Sequence, residues 1–197
     1  MRLARRILAW SAALGAVVAA LGMSGLLTLP GQESHPFSSA ADAAFELTRQ
    51  DGSRFSSKSL AGKPFAIFFG FTNCPDVCPT TLLTMSNHLR SLGDKADRFQ
   101  VLFVTVDPER DTAAHLANYL SSFDPRIIGL TGSAEEIRKV ARIYRVSYRK
   151  VAAGQTYTMD HTATVFLVDA RGRLAGTLEL EGAEAGQLAR LRKLVGE

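Results

Sequence analysis

Phe65-Ala66-Ile67-Phe68-Phe69-Gly70-Phe71-Thr72-Asn73-Cys74-Pro75-Asp76-Val77-Cys78-Pro79 is an unbroken apolar run that stops at Thr72-Asn73 and passes directly into a two-cysteine segment. Such a run, bounded by turn formers, is the pattern of a buried central strand that delivers its C-terminal end to a functional loop. After it, Leu82, Leu83, Leu89 and Leu92 supply the apolar stripe of a helix expected over about Thr80 to Leu92. A strand, a cysteine-bearing turn and a helix therefore form the kernel of the domain.

Working outward, Val101 to Val106 is a second strand stopped by Asp107-Pro108, and Asp111 is placed to cap a helix reaching about Ser121. Ile127 to Leu130 is short and extended. Ser133 and Glu136 have capping-box spacing and open a helix carrying Ile137, Val140, Ala141 and Tyr144. Thr164 to Val168 and Leu174 to Leu180 are strands around a turn at Asp169 to Arg173, and Ala185 to Leu194 suits a closing helix. Upstream, Phe45 to Leu47, Asp51-Gly52 and Phe55 form a short hairpin signal. The order, a hairpin, then βαβαβα, then ββα, predicts an α/β domain with a thioredoxin-like three-layer fold around a central mixed β-sheet. The turn after the first core strand holds cysteines and prolines where a nucleotide fold needs glycines for phosphate approach, which disfavours a nucleotide-dependent enzyme.

The length, 197 residues, suits one domain plus an attachment segment. Of the formal charge of +4, Arg2, Arg5 and Arg6 account for most and leave about +1 for the remainder, too little and too dispersed for a phosphate-tracking surface. No charged residue occurs from Ile7 to Gln32, and Ile7 to Thr28 as a helix spans about 33 Å, close to a bilayer's hydrocarbon core. The expectation is one transmembrane helix within residues 1–32, a polar tether over 33–43 and an exported domain over 44–197. The flanking arginines place the N-terminus on the cytoplasmic or matrix side. The competing reading is a cleaved signal peptide, processed near Ser38 to Ala41.

Cys74 and Cys78 are the two cysteines of the chain. Four residues apart, their sulfurs face the same side of a helical turn, and a helix N-terminus stabilises thiolates through its positive end and unpaired N–H groups. Pro79 fits a first helical turn, where its missing N–H is not needed. Two soft thiolates favour Cu(I) or zinc over magnesium or calcium, and iron–sulfur ligation usually requires more cysteines. The third donor has to come from elsewhere. His35 lies in the tether, while His88 and His115 lie within helices, where a solvated or core-edge ring is the plain reading. His161 follows Asp160 in a loop ahead of the strand near Thr164 and can approach the ends of neighbouring strands. Met159 is a further soft donor, whereas Met85 reads as helix packing. Asp160 orients His161, meets a partner or serves the turn, and Asp76 suits a helix cap. Asp107, Glu109, Arg110 and Asp111 form a charged loop that is a solvated cap or a rim recognising a partner.

The segments Phe69 to Leu82, Val106 to Thr112 and Asp160-His161-Thr162 closely resemble the Sco/SenC family of membrane-tethered copper proteins, over about Phe45 to Leu180. Thr162 stands where the family's serine is expected, and Ala40 to Ala44 lacks the family's Gly-Gly-Pro pattern; neither change removes a ligand. The resemblance implies a copper metallochaperone that binds one copper ion per chain, Cu(I) or Cu(II), through Cys74, Cys78 and His161. It would assist assembly of the binuclear copper site of cytochrome c oxidase. The implied partners are the oxidase's copper-site subunit and a periplasmic copper donor or thiol reductant, with no nucleic acid and a monomeric domain. The implied location is a bacterial inner membrane, spanned once, with the C-terminal domain in the periplasm.

The main rival is a thiol-disulfide oxidoreductase that reduces the cysteines of the target copper site. Against it, thioredoxin-like redox centres normally have two residues between their cysteines, and this chain has three. A peroxidase and an anchored domain stabilised by a disulfide are weaker alternatives.

Overall fold

The structure, a computed structural model, describes residues 44–196. The expected anchor over 1–32 and tether over 33–43 lie outside the described residues. No helix among the described residues is long and apolar enough to cross a membrane. The chain runs through β1 (Glu46–Arg49), β2 (Arg54–Ser56), β3 (Phe65–Gly70), α1 (Val77–Leu92), β4 (Gln100–Thr105) and α2 (Ala113–Leu120). It continues through β5 (Ile127–Thr131), α3 (Ala134–Ile143), β6 (Tyr148–Ala153), β7 (Thr156–His161), β8 (Val165–Val168), β9 (Leu174–Leu178) and α4 (Glu184–Leu194).

Seven strands form one sheet in the order β2-β1-β5-β4-β3-β8-β9, while β6 and β7 make a separate two-stranded hairpin. The pairs β3–β4 and β4–β5 are parallel, joined by crossovers through α1 and α2, and β8 adds to β3 antiparallel. This is the mixed, thioredoxin-like sheet that the element order predicts. Every residue of β3 is buried, because helices or loops cover both faces of a central strand. Its side chains alternate. Phe65, Ile67 and Phe69 enter a core with Phe45, Tyr144 and Met159, while Ala66 and Phe68 enter a second core with Leu82, Met85 and Leu89 of α1 and Leu191 of α4. Each fully buried Leu or Phe contributes about 1.5–3 kcal/mol, so the period-2 alternation on β3 binds both outer layers to one strand.

Several boundaries depart from the sequence reading. Helix α1 begins at Val77 rather than Thr80, so Cys78 already lies in its first turn and Pro79 follows at the third helical position. Asp76 flanks the helix without capping a backbone N–H. Thr112, not Asp111, caps α2 by accepting from the His115 N–H at 3.2 Å. The Ser133–Glu136 capping box of α3 forms as expected. The β6–β7 hairpin was not anticipated. Its two-residue turn at Gly154-Gln155, with Gly154 at φ 61°, is a hairpin signal that the weakly alternating, polar flanks obscure.

The helical histidines divide. His115 is exposed, whereas His88 is fully buried, and its Nε2 meets Gln187 Oε1 at 2.8 Å, between α1 and α4. Since the Gln187 amide NH2 donates to the Leu180 and Gly182 carbonyls, its oxygen faces His88 and the imidazole donates through Nε2. Replacing Gln187 with Ala strands that buried donor and is expected to lower stability by about 1–3 kcal/mol, read from urea unfolding. An unchanged midpoint would show that the contact contributes nothing.

Candidate metal centre

The site is built at the C-terminal edge of the parallel strands. Past Gly70, the chain turns through Phe71 and Thr72, and the Cys74 N–H donates to the Phe71 carbonyl at 3.2 Å. The turn is held from below by Asp111, which is fully buried. Its Oδ2 accepts from the Thr72 N–H at 3.0 Å and from Thr105 Oγ1 at 2.6 Å, and its Oδ1 accepts from Thr72 Oγ1 at 2.6 Å. The charged loop after β4 is thus no solvated cap at Asp111; the carboxylate is a structural tie between the end of β4 and the cysteine loop.

Cys78 is buried and Cys74 half-buried. The Cys78 N–H, one of the unpaired donors of the first turn of α1, points to Cys74 Sγ at 3.4 Å. Cys78 Sγ occupies the space above Gly70. A Cβ at that residue would lie 2.7 Å from the sulfur and 2.7 Å from the Phe103 ring, so glycine is what lets the thiol seat against the strand. Burial pushes the Cys78 thiol well above its ordinary range, with Cys74 and Asp111 acting in the same direction and the Phe71 backbone opposing them.

His161 arrives from the far side, as the last residue of β7 rather than in a free loop. Its ring stands edge-on to Phe71, with centroids 5.8 Å apart, and its Nε2 lies 3.9 Å from Cys78 Sγ. Nδ1 is 3.1 Å from the Thr162 carbonyl, an acceptor, so Nδ1 carries the proton and the Nε2 lone pair faces the sulfurs. Cys74 Sγ, Cys78 Sγ and the imidazole nitrogen all lie within 4.8 Å of one another. Two sulfurs and one correctly tautomerised nitrogen fit a soft or borderline metal ion, and the half-buried Cys74 and His161 leave it open on one side.

The other candidates fall away from this point. Asp160 is exposed and pairs with Arg149 at 2.9 Å, so the Thr162 carbonyl, not Asp160, orients the imidazole. Met159 and Met85 are buried in the two cores. His35 lies outside the described residues.

A brace from the charged loop holds the hairpin that carries His161. The Arg110 guanidinium lies over the Tyr157 ring of β7 at 3.9 Å and over Phe71 at 6.0 Å, and its Nη1 donates to the Tyr157 carbonyl at 3.0 Å. Arg110 Nε also pairs with the buried Asp107 carboxylate, which accepts the Tyr157 hydroxyl at 2.9 Å. Tyr157, Arg110, Phe71 and His161 therefore form a continuous line of contacts from hairpin to metal-binding atoms. The sequence alone leaves Arg110 and Asp107 as a solvated cap or a rim, because their contacts with Tyr157 join positions 47 and 50 residues apart.

The SCO1/SenC family profile matches residues 33–196. The chain belongs to the SCO1/SenC family. Among solved structures, Bradyrhizobium japonicum ScoI with copper bound is 48% identical with a TM-score of 0.73, over 77% of this chain and 97% of that one. An SCO2-like protein of Rickettsia conorii is 36% identical over 151 residues, 75% of this chain and 74% of its own length. The mitochondrial SCO1 homolog 1 of Arabidopsis thaliana is 41% identical over 131 residues, 66% of this chain but 39% of that protein. Within this SCO1/SenC chain, the cysteine loop, the Asp107–Asp111 loop and His161 all fall inside the matched region.

Two outcomes follow. Truncating Arg110 to Ala is expected to raise hydrogen exchange of the β6–β7 amides by roughly tenfold or more, about 1.4 kcal/mol of local opening, with the β3–β4 amides little changed. Uniform exchange across both sheets would refute a local brace. In the reduced, metal-free protein, iodoacetamide should label Cys74 first, and Cys78 only as pH rises beyond the ordinary thiol range, because the buried thiol keeps its proton. Equal labelling of both cysteines at neutral pH, followed by mass spectrometry, would contradict that ordering.

Proposed function

We propose that this protein is a copper metallochaperone that carries one copper ion on Cys74, Cys78 and His161 and delivers it during assembly of the binuclear copper site of cytochrome c oxidase. The observation that carries the reading is the convergence of two sulfurs and one imidazole nitrogen within 4.8 Å at the rim of the domain. A copper-bound solved relative at 48% identity supports the choice of metal. Thiolates favour Cu(I) and imidazole also suits Cu(II), so the mixed set tolerates both states.

Copper is cargo here, and the unequal burial of the ligands suits its transfer. Incoming thiolates of a target can replace Cys74 and His161 from the open side, each new Cu–S bond forming as one bond to this chain breaks. Cys78, seated over Gly70, is released last. Binding at Cys78 displaces a proton held by burial, so copper affinity rises with pH. In the same reading, the apolar segment within 1–32 anchors the chain in a bacterial inner membrane, and residues 33–43 tether a monomeric domain in the periplasm.

Thiol-disulfide exchange is the second reading, favoured by two free cysteines in contact. The high thiol pKa of Cys78 weighs against it, and the exchange would not require His161.

Anaerobic Cu(I) titration of the reduced full chain, with metal analysis and X-ray absorption, tests the proposal. One copper with two sulfurs and one nitrogen is expected. Outer-shell changes alone cost about 10–100-fold in metal affinity, so His161→Ala should lose the nitrogen and weaken binding at least about tenfold. Absence of tight copper binding, or an unchanged ligand set in the variant, would sink the delivery reading and bring thiol exchange forward.

A further inference from the structure

Beside the metal centre lies a cleft of about 420 Å³ with Ala141 and Val146 as its apolar lining and Arg138, Arg142, Ser147 and Tyr148 as its polar one. No carboxylate lines it. Arg138 and Arg142 are both exposed, one helical turn apart on the same face of α3. Like charges at this spacing repel, while Arg142, in the last turn, also meets the negative end of the helix. Both guanidinium groups act on the Tyr148 phenol, opposing the upward push of its burial, which places the three side chains in one electrostatic neighbourhood.

The helix ends immediately beyond. The Val146 N–H returns to the Ala141 carbonyl at 2.8 Å, a Schellman closure whose left-handed residue is Arg145 at φ 54°, where glycine is the comfortable choice.

The cleft neighbours the strand that carries His161. Ser147 also lines a second depression, of about 270 Å³, with Arg149, Asp160, His161 and Thr162. Tyr148 is the direct cross-strand neighbour of His161 in the β6–β7 ladder, so their side chains share one face of the hairpin. Ser147 and Thr162 close the base of that ladder, the Thr162 N–H donating to the Ser147 carbonyl at 3.0 Å.

From these observations we infer that the Arg138–Arg142–Tyr148 cleft docks an acidic segment of the protein that exchanges copper with this chain. The inference rests on the delivery reading above and adds the partner's chemistry to it. A carboxylate between the two guanidinium groups relieves their repulsion and takes charge-assisted, bidentate hydrogen bonds, while Tyr148 offers an amphipathic surface to the adjoining side chains. Because Tyr148 sits across from His161, a segment seated there brings its own metal-binding residues to the open side of the site. Within the cleft itself only Arg138 and Arg142 supply positive charge, and two groups make no continuous basic track, so a nucleic-acid backbone is not the fitting occupant.

The test uses the full chain in detergent, with a fluorescein-labelled hexaglutamate peptide as the probe, read by anisotropy at low and physiological salt and mapped by backbone amide NMR. Saturable binding is expected, with the largest shifts at Ser147 and Tyr148 and weakening as salt rises. The double reversal Arg138→Glu/Arg142→Glu should reduce affinity at least about tenfold, and the milder Arg138→Gln/Arg142→Gln pair should reduce it in the same direction. Arg98→Glu/Arg171→Glu, an equal charge change at exposed positions elsewhere, should leave it nearly unchanged. Equal losses in the two reversals, shifts centred outside the cleft, or no peptide binding would overturn the proposal. So would binding of anionic phosphatidylglycerol vesicles through Arg138 and Arg142 in place of the peptide, which would make the cleft a membrane-facing surface. Copper titration in the same samples separates the two readings. A wild type that binds no copper overturns delivery and with it the partner's identity, whereas intact copper binding with failure of the peptide arm overturns the cleft alone.

Discussion

The buried carboxylate of Asp111 is the constraint on which the metal centre depends. A charge removed from water is costly unless its lone pairs are satisfied, and three neutral donors from Thr72 and Thr105 meet that demand. Those donors come from the loop after β3 and from the end of β4, so satisfying one carboxylate joins the two central parallel strands at the edge where function sits. Phe71, Cys74 and the start of α1 inherit their positions from this tie. The carbonyl of Asp111 also accepts from Thr131 Oγ1 at 2.8 Å, which brings the end of β5 into the same junction.

The two halves of the ligand set are supported differently. The cysteines belong to the loop after β3 and to the first turn of α1, where close packing of Cys78 against Gly70 leaves that sulfur little freedom. His161 belongs to a two-stranded hairpin outside the main sheet, and two strands alone are marginally stable in water. The hairpin is therefore placed by its packing on the first core, through Met159, and by its contacts with the Asp107–Arg110 loop, which recruit the Arg110–Asp107 ion pair and an Arg–Tyr stack. One firmly seated sulfur, Cys78, facing a more open Cys74 and a braced but separable imidazole suits a site that must both hold a metal ion and release it. The neighbouring arginine cleft draws on the same hairpin, since Tyr148 and His161 occupy one register position of it.

Much of this was legible in advance where the signal is local. The apolar run of β3, the Ser133–Glu136 capping box and the closing helix depend on short-range periodicity and capping, and they form as read; the stripe of α1 holds at Leu82, Leu89 and Leu92, but Leu83 turns to solvent and Met85 takes the inner face. Asp111 was misread because an aspartate ahead of a helix is usually a cap. Here Thr112 takes that role, and the carboxylate turns inward to donors 6 and 39 residues away. The β6–β7 hairpin escaped because neither strand has a continuous apolar face, and only the Gly154 turn marks it. Gly70 stood inside the quoted strand without a role, since the need for a missing Cβ appears only when Cys78 is laid against it.

By itself the sequence determined the alternating order of strands and helices, the cysteine pair at the start of a helix and, through its resemblance to a known family, the histidine that completes a soft-metal set. These features are encoded by residue type and short spacing. Only the tertiary structure decided that Nε2 of His161 faces the sulfurs, that Cys78 keeps its proton through burial, and that Arg110 and Tyr157 brace the hairpin. Each of these depends on groups brought together across 47 to 83 residues of chain, where burial and contact rather than local pattern set the chemistry.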